Sequence, residues 1–145
     1  MEIVKRNGIG DLIFGDSMVE IVSKIGDPSK QFVVEDGIIF QYNRYELRIK
    51  FYSDEDYKFG YLISSSSEIT INNKNIISKD IDYAQNLISE SESLSWEKED
   101  YDTFTSYFNE SNWISLKVKY GIVTEFEMGV PFLNENDYDW PNKKR

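Results

Sequence analysis

From Tyr45 to Phe51 the chain alternates strictly, with Tyr45, Leu47, Ile49 and Phe51 apolar and Glu46, Arg48 and Lys50 charged. A period of two is the geometry of a strand that buries one face and wets the other. Ile114, Leu116, Val118 and Tyr120 repeat the pattern late in the chain. A helix cannot use such a sequence, because its apolar stripe recurs at 3.6 residues. Whatever this chain folds into must therefore contain a sheet covered on one side.

The punctuation between apolar runs decides how the strands are joined. Asp36-Gly37, Asn43-Arg44, Asn72-Asn73 and Gly121 are turn signals, and Ser53-Asp54-Glu55-Asp56 reads as a loop. Linkers this short join antiparallel neighbours; parallel neighbours need a crossover of about a dozen residues or more. Strands are expected at 31–35, 38–42, 45–51, 59–65 and 68–71, then at 94–97, 103–108, 113–120 and 122–128.

Two segments carry the helical period. Ser17 and Glu20 have the capping-box spacing, Met18, Ile21, Val22 and Ile25 form an apolar face, and Gly26 and Pro28 end the run. The second helix is expected over 78–89, with Ser78 at the N-cap, Asp80 and Asp82 in the first turn, and Ile81, Ala84, Leu87 and Ile88 as its apolar face.

Each expected helix precedes an expected meander, and the spacing recurs. Ile81 follows Met18 by 63 residues and Ile88 follows Ile25 by 63, while Asp100 follows Asp36 by 64 and Phe104 follows Phe40 by 64. The expected fold class is α+β: two similar helix-plus-antiparallel-sheet halves sharing one core. Residues 1–145 are read as a single domain, with pseudo-repeat halves at about 8–72 and 76–132 and a C-terminal tail at 133–145. The alternative is one ordinary sheet with coincidental spacing.

The segment Gly10-Asp11-Leu12-Ile13-Phe14-Gly15-Asp16-Ser17-Met18-Val19-Glu20, followed by Ile25-Gly26-Asp27-Pro28, resembles the opening of helix-plus-sheet units in β-lactamase inhibitor proteins and small outer-membrane assembly lipoproteins. It is also similar to the start of some immunity proteins of bacterial polymorphic or contact-dependent toxin systems. The resemblance covers residues 8–30 and consists of capping and turn chemistry. With no lipidated Cys, no disulfide and no apolar leader at Met1 to Gly8, the cytoplasmic immunity protein is the relative whose features fit. That class implies a small acidic inhibitor without catalytic residues, which covers a toxin domain that is often a basic nuclease.

Composition narrows the chemistry. The chain of 145 residues has no Cys and no His, which excludes disulfides, thiolate and imidazole catalysis and His or Cys zinc sites. With 26 acidic and 16 basic residues the net charge is −10. A nucleic-acid partner or an anionic membrane requires the opposite sign, and no apolar run approaches the ~20 residues of a membrane helix. Residues 80–139 hold 14 acidic and three basic residues, whereas residues 1–71 hold 12 and eight. If the later window forms one surface, it attracts a basic protein.

Other constellations have plainer explanations. Gly8, Gly10 and Gly15 lack the Gly-Lys-Ser/Thr of a phosphate loop, and Ile13 stands where a dinucleotide motif needs Gly. Asp54-Glu55-Asp56 and Asp80-Ile81-Asp82 lack the calcium-loop pattern. No cofactor or metal is expected. No pair among the acidic residues is marked out for glycoside hydrolysis, and Ser64 to Ser67 reads as a solvated polar run.

Two stretches interleave carboxylates with large aromatics: Glu97, Glu99, Asp100, Tyr101 and Asp102, and then Asp137, Tyr138, Asp139 and Trp140. Tyr and Trp supply apolar area with a polar tip, and the carboxylates pair with Lys or Arg on a partner. These nine residues are the expected partner-binding site, with Asp54, Glu55, Asp56 and Tyr57 next in line. The expected function is a non-enzymatic, cytoplasmic, immunity-type protein that neutralises a basic toxin domain. The alternatives are an adaptor module for another protein and a carboxylate-based enzyme. The oligomeric state is not legible.

Overall fold

The computed structural model describes residues 1–141. Three short strands, β1 (Ile3–Val4), β2 (Gly8–Ile9) and β3 (Leu12–Ile13), open the chain as a small antiparallel sheet. Helix α1 (Met18–Ile25) follows, then a meander of β4 (Lys30–Val34), β5 (Gly37–Tyr42), β6 (Leu47–Tyr52) and β7 (Lys58–Ser64). A hairpin of β8 (Thr70–Ile71) and β9 (Lys74–Asn75) leads to α2 (Ile81–Ser89). A second meander completes the sheet: β10 (Glu97–Asp100), β11 (Thr105–Asn109), β12 (Ile114–Lys119) and β13 (Ile122–Gly129). Both meanders belong to one eight-stranded antiparallel sheet of order β10-β11-β12-β13-β7-β6-β5-β4. The last strand of each meander meets the other at the centre, and β4 and β10 are the free edges.

Register explains why one face is buried. Phe40, Ile49, Leu62, Met128, Ile114 and Asn109 stand opposite one another on successive strands, and all six are buried. Ile21 of α1 and Ala84 and Ile88 of α2 belong to the same core, as do Ile3, Ile9, Leu12 and Phe14 from the N-terminus. Phe14 packs on Phe59 with ring centroids 4.9 Å apart. The alternation read from the sequence is the inside–outside alternation of β6 and β12 over Leu47–Phe51 and Ile114–Val118, whereas Tyr45 lies in the turn before β6 and Tyr120 follows β12 fully exposed.

Helix α1 begins as the sequence dictates. Ser17 Oγ accepts from the Glu20 amide and Glu20 Oε1 accepts from the Ser17 amide, and Gly26, at φ 88°, closes the C-terminus by donating to the Val22 carbonyl. Beneath it Asp16 is fully buried, accepting from Lys24 Nζ at 2.7 Å and from the Ile13 amide at 3.0 Å.

Several boundaries differ from expectation. Helix α2 is capped by Asp80, whose side chain accepts from the Asp82 amide. Ser78 instead sits in a turn at φ 72° and donates its amide to the Val123 carbonyl. Leu94 and Trp96, expected in a strand, are partly buried loop residues, and the ladder starts at Glu97. Phe40 lies inside β5 while Phe104 precedes β11, and Asp36 lies in a turn while Asp100 closes β10. The 64-residue spacings therefore connect unlike positions. Gly8, Gly10 and Gly15 all have positive φ, the turn role expected of them.

Candidate functional site

The sheet face opposite the core is not covered by a helix layer. One residue from each strand forms a row across it: Lys30, Gln41, Arg48, Ile63, Glu127, Ser115, Phe108 and Glu97. The next row runs Phe32, Ile39, Lys50, Tyr61 and Gly129. Charge is segregated along these rows. Lys30, Arg48 and Lys50 lie on the first meander, while Glu97, Glu99, Glu125 and Glu127 lie on the second, where Lys117 is their basic neighbour.

Over the middle of this face lies a connected set of aromatic rings. Phe108 meets Trp113 edge-on at 5.0 Å, Trp113 meets Phe132 edge-on at 5.2 Å, and Phe132 stacks on Tyr138 at 4.7 Å. Tyr138 then stacks on Tyr52 at 5.3 Å and leans on Trp140 at 5.6 Å. Two glycines make the arrangement possible. A Cβ at Gly60 would lie 2.2 Å from the Tyr52 ring, and one at Gly129 would lie 2.7 Å from both Trp113 and Tyr61. The rings lie on bare backbone where any side chain would lift them off.

The segment after β13 supplies half of these rings. Val130 donates to the Gly60 carbonyl, Asp139 donates its amide to Pro131, and Leu133 donates to Asp137, so residues 131–139 form a small loop lying on the sheet. Asn134 Oδ1 accepts from the Asn136 and Asp137 amides and holds the loop's tip. Arg6, from the N-terminal sheet, bonds both the Asp139 carboxylate and the Ser111 carbonyl, tying the loop down. Lys58 Nζ lies 5.6 Å above the Trp140 ring.

Recesses flank the rings. One of about 310 Å³ is walled by Tyr52, Tyr61, Trp113, Phe132 and Tyr138, with Asp36, Lys50 and Asp54 at its polar side. Another, of about 600 Å³, shares Trp113 and Phe132 and reaches Arg6, Glu97 and Glu110. Burial raises the phenol pKa of Tyr61 and Tyr52; the Tyr61 hydroxyl also donates to Glu127 Oε1 at 2.5 Å. Tyr138 is raised by burial and then by the nearby carboxylates of Asp54, Glu55 and Asp36. The Lys50 ammonium, 2.6 Å from Asp36, holds that carboxyl below its usual range. All three phenols remain neutral donors near neutral pH, and the recesses offer flat apolar walls rimmed by carboxylates.

The residues expected from sequence are distributed unevenly over this face. Glu97 and Glu99 stand on it, on edge strand β10. Tyr138 and Trp140 lie in the aromatic set, and Asp137 is exposed on the loop. Asp139 is engaged by Arg6. Asp100 accepts from Thr105 Oγ1 at the β10–β11 turn, and Asp102 is exposed beside it. Tyr101 stacks on Phe104 at 4.7 Å, and Lys117 Nζ lies 4.4 Å over that Phe104 ring. Asp54 lines the aromatic recess; Asp56 and Tyr57 form its neighbouring turn with positive φ. Part of the acidic window is engaged within the fold: Asp80 caps a helix, and Glu90 and Glu92 pair with Lys5.

Tyr52, Tyr61, Phe108, Trp113 and Phe132 were not singled out in the sequence. A signal exists for Tyr52, which sits out of phase with Leu47, Ile49 and Phe51 of its own strand; Tyr61 shares the phase of Phe59 in the sequence and reaches the open face through the register shift of the β6–β7 ladder. Among the described residues no group of three or more carboxylates is arranged to hold a metal ion, and no helix is long and apolar enough to cross a membrane.

No family model matches the sequence, and no curated protein does. A solved structure, an extracellular protein containing a SCP domain from Bacillus anthracis str. Ames, is similar in fold, with a TM-score of 0.53 at 14% identity. The match covers 80% of this chain and 43% of that one, so this chain spans less than half of that protein's length.

Proposed function

We propose that this chain is a non-enzymatic protein-binding domain whose open sheet face docks a basic protein, in the manner of a cytoplasmic immunity protein covering a toxin domain. The observation that carries the reading is the connected aromatic set on that face, flanked by Glu97, Glu99, Glu125 and Glu127. Aromatic anchors surrounded by carboxylates are the chemistry of an interface that receives Lys and Arg. The partner's basic surface lies over the second meander, where the acidic side chains are, and away from Arg48 and Lys50.

The layout supports a duplicated origin for the two halves. In each, a helix precedes four antiparallel strands, and Leu47, Ile49 and Phe51 of β6 occupy the places of Ile114, Leu116 and Val118 in β12. The pairing of β7 with β13 then joins equivalent strands and shapes one continuous docking face. An adaptor for some other basic protein would use the same face. A carboxylate enzyme has less in its favour, since Asp36 and Asp54 are both exposed and Asp36 is neutralised by Lys50.

Neutralisation is the test. The protein encoded beside this chain is expressed alone and with it, and growth and complex formation are measured. Arrest by the neighbour, relieved by this chain and no longer relieved by a Glu97→Lys/Glu99→Lys/Phe132→Ala variant that stays folded, supports the reading. A neighbour that neither arrests growth nor binds removes the toxin partner. Equal relief by the variant moves the interface off this face.

A further inference from the structure

The two free edges of the sheet are unlike each other. Edge β10 reads Glu-Lys-Glu-Asp, a run of charge that resists pairing with another strand. Edge β4 reads Lys-Gln-Phe-Val-Val, with Val33 82% and Phe32 41% exposed. Apolar, β-forming residues on an uncovered edge are an open template for one more strand. Nothing in the described residues lies against its outer side in the sheet order.

We propose that β4 pairs antiparallel with β4 of a second copy, joining the two sheets edge to edge across a twofold axis. This goes beyond docking on the open face and does not depend on it. The hairpin fixes which groups are available. Val34 pairs with Gly37 across a two-residue turn, so that pair exchanges both ladder bonds. By alternation Phe32 and Lys30 also bond inward to β5, leaving the amides and carbonyls of Gln31 and Val33 pointing outward. Centring the twofold on Phe32 sets each Gln31 against the other copy's Val33 and closes both bonded pairs. Phe32 then faces its own counterpart on the open side, and Lys30 comes diagonal to the other copy's Asp36, within reach of a long side chain.

The charge distribution leaves this edge open to a second copy despite the net −10 of each chain, and the twofold axis repeats the Lys30–Asp36 complement on both sides. Residues 1–71 are close to balanced, and the excess negative charge lies in residues 80–139. Edges β4 and β10 are seven strand spacings apart, roughly 34 Å at about 4.8 Å each. Edge-to-edge pairing through β4 therefore keeps the acidic meanders at the far ends, well beyond the screening length of about 8 Å at physiological salt.

The experiment uses the whole chain, which has no native Cys. Sedimentation velocity over a concentration series is expected to show a reversible monomer–dimer equilibrium. Val33→Lys, a change at a solvent-exposed side chain, raises the midpoint concentration by about tenfold or more, equivalent to about 1.4 kcal/mol. Register is read with single cysteines. Opposed Phe32 positions form a non-bonded pair with Cα atoms about 4.5 Å apart, inside the disulfide range. Phe32→Cys therefore oxidises to a covalent dimer, while Val33→Cys, opposite Gln31, does so far more slowly. A chain that stays monomeric up to millimolar concentration overturns the proposal. So does a dimer that Val33→Lys leaves intact, or equal crosslinking of the two cysteine variants, because each places the contact elsewhere.

Discussion

Gly60 is where the docking face depends most on a missing side chain. Its φ is not in the left-handed region, so Ala is sterically allowed by the backbone; the obstacle is the Tyr52 ring, 2.2 Å from the new Cβ. Gly60→Ala must therefore expel that ring. The displacement breaks the Tyr52 hydroxyl's bond to the Gly60 carbonyl and its stack on Tyr138. A net hydrogen bond is worth about 1 kcal/mol, and the aromatic pair about 0.5–1.5 kcal/mol. Overpacking of this kind costs about 1–3 kcal/mol in total, and the expected loss is about 2–3 kcal/mol. The assay is urea unfolding of wild type, Gly60→Ala, Tyr52→Ala and the double variant. Once Tyr52 is Ala there is nothing to expel, and Ala at 60 becomes neutral or stabilising by a few tenths of a kcal/mol through the unfolded chain. The coupling should then be about 2 kcal/mol or more. Equal cost of Gly60→Ala in both backgrounds would refute the argument that the glycine exists to seat the ring.

Further outcomes follow from the same reasoning. Ser17→Ala removes one arm of the capping box and should cost about 1 kcal/mol by the same unfolding assay. Asp16→Ala strips the buried acceptor of Lys24 and the Ile13 amide, and should cost about 3 kcal/mol. Tyr42 donates to the Gly26 carbonyl, and burial, with Asp27 and Tyr45 nearby, pushes its phenol up to about 12 from an ordinary 10.0. A raised folded pKa means its contribution is whole below about pH 10 and is lost as pH rises toward 12; absorbance titration of phenolate should therefore show a cooperative alkaline unfolding step. Charge reversal of Glu97 and Glu99 should slow association with a basic partner and flatten its salt dependence in stopped-flow. Reversal of Asp139 should instead loosen the loop held by Arg6, seen as a loss of thermal stability in the free protein.

What the sequence disclosed was whatever is encoded locally. Ser17 and Glu20 lie three residues apart and bond each other, so α1 could be read to its first residue. Strands β6 and β12 announced themselves because each is buried on one side only. Strand β10 gave no apolar signal, being an edge with every side chain exposed, and the burial of Leu94 and Trp96 drew the expected strand toward them. Asp80 took the cap from Ser78 because the chain must first turn at Ser78 to bond Val123. The candidate site was only half legible. Tyr138 and Trp140 stood out through their acidic neighbours, but Tyr52, Tyr61 and Phe108 are brought in by strand register, Trp113 by the β11–β12 turn and Phe132 by the loop after β13. No window of adjacent residues contains that set.

The pairing of β7 with β13 has a consequence for how the protein is made. The seam at the centre of the sheet joins residues 61–64 to residues 126–129. Synthesis proceeds from the N-terminus, so the first meander leaves the ribosome with β7 as an unprotected rim, and the strand that seals it is the last one produced. Contacts between such distant segments close late, because the loop entropy must be met before they yield anything. The sheet is thus completed only once β13 has been made, and a chain stopped before Gly129 exposes its own middle. In such a truncated chain the sticky surface is the strand edge whose amides and carbonyls, in the finished sheet, are taken up by the pairing of β7 with β13.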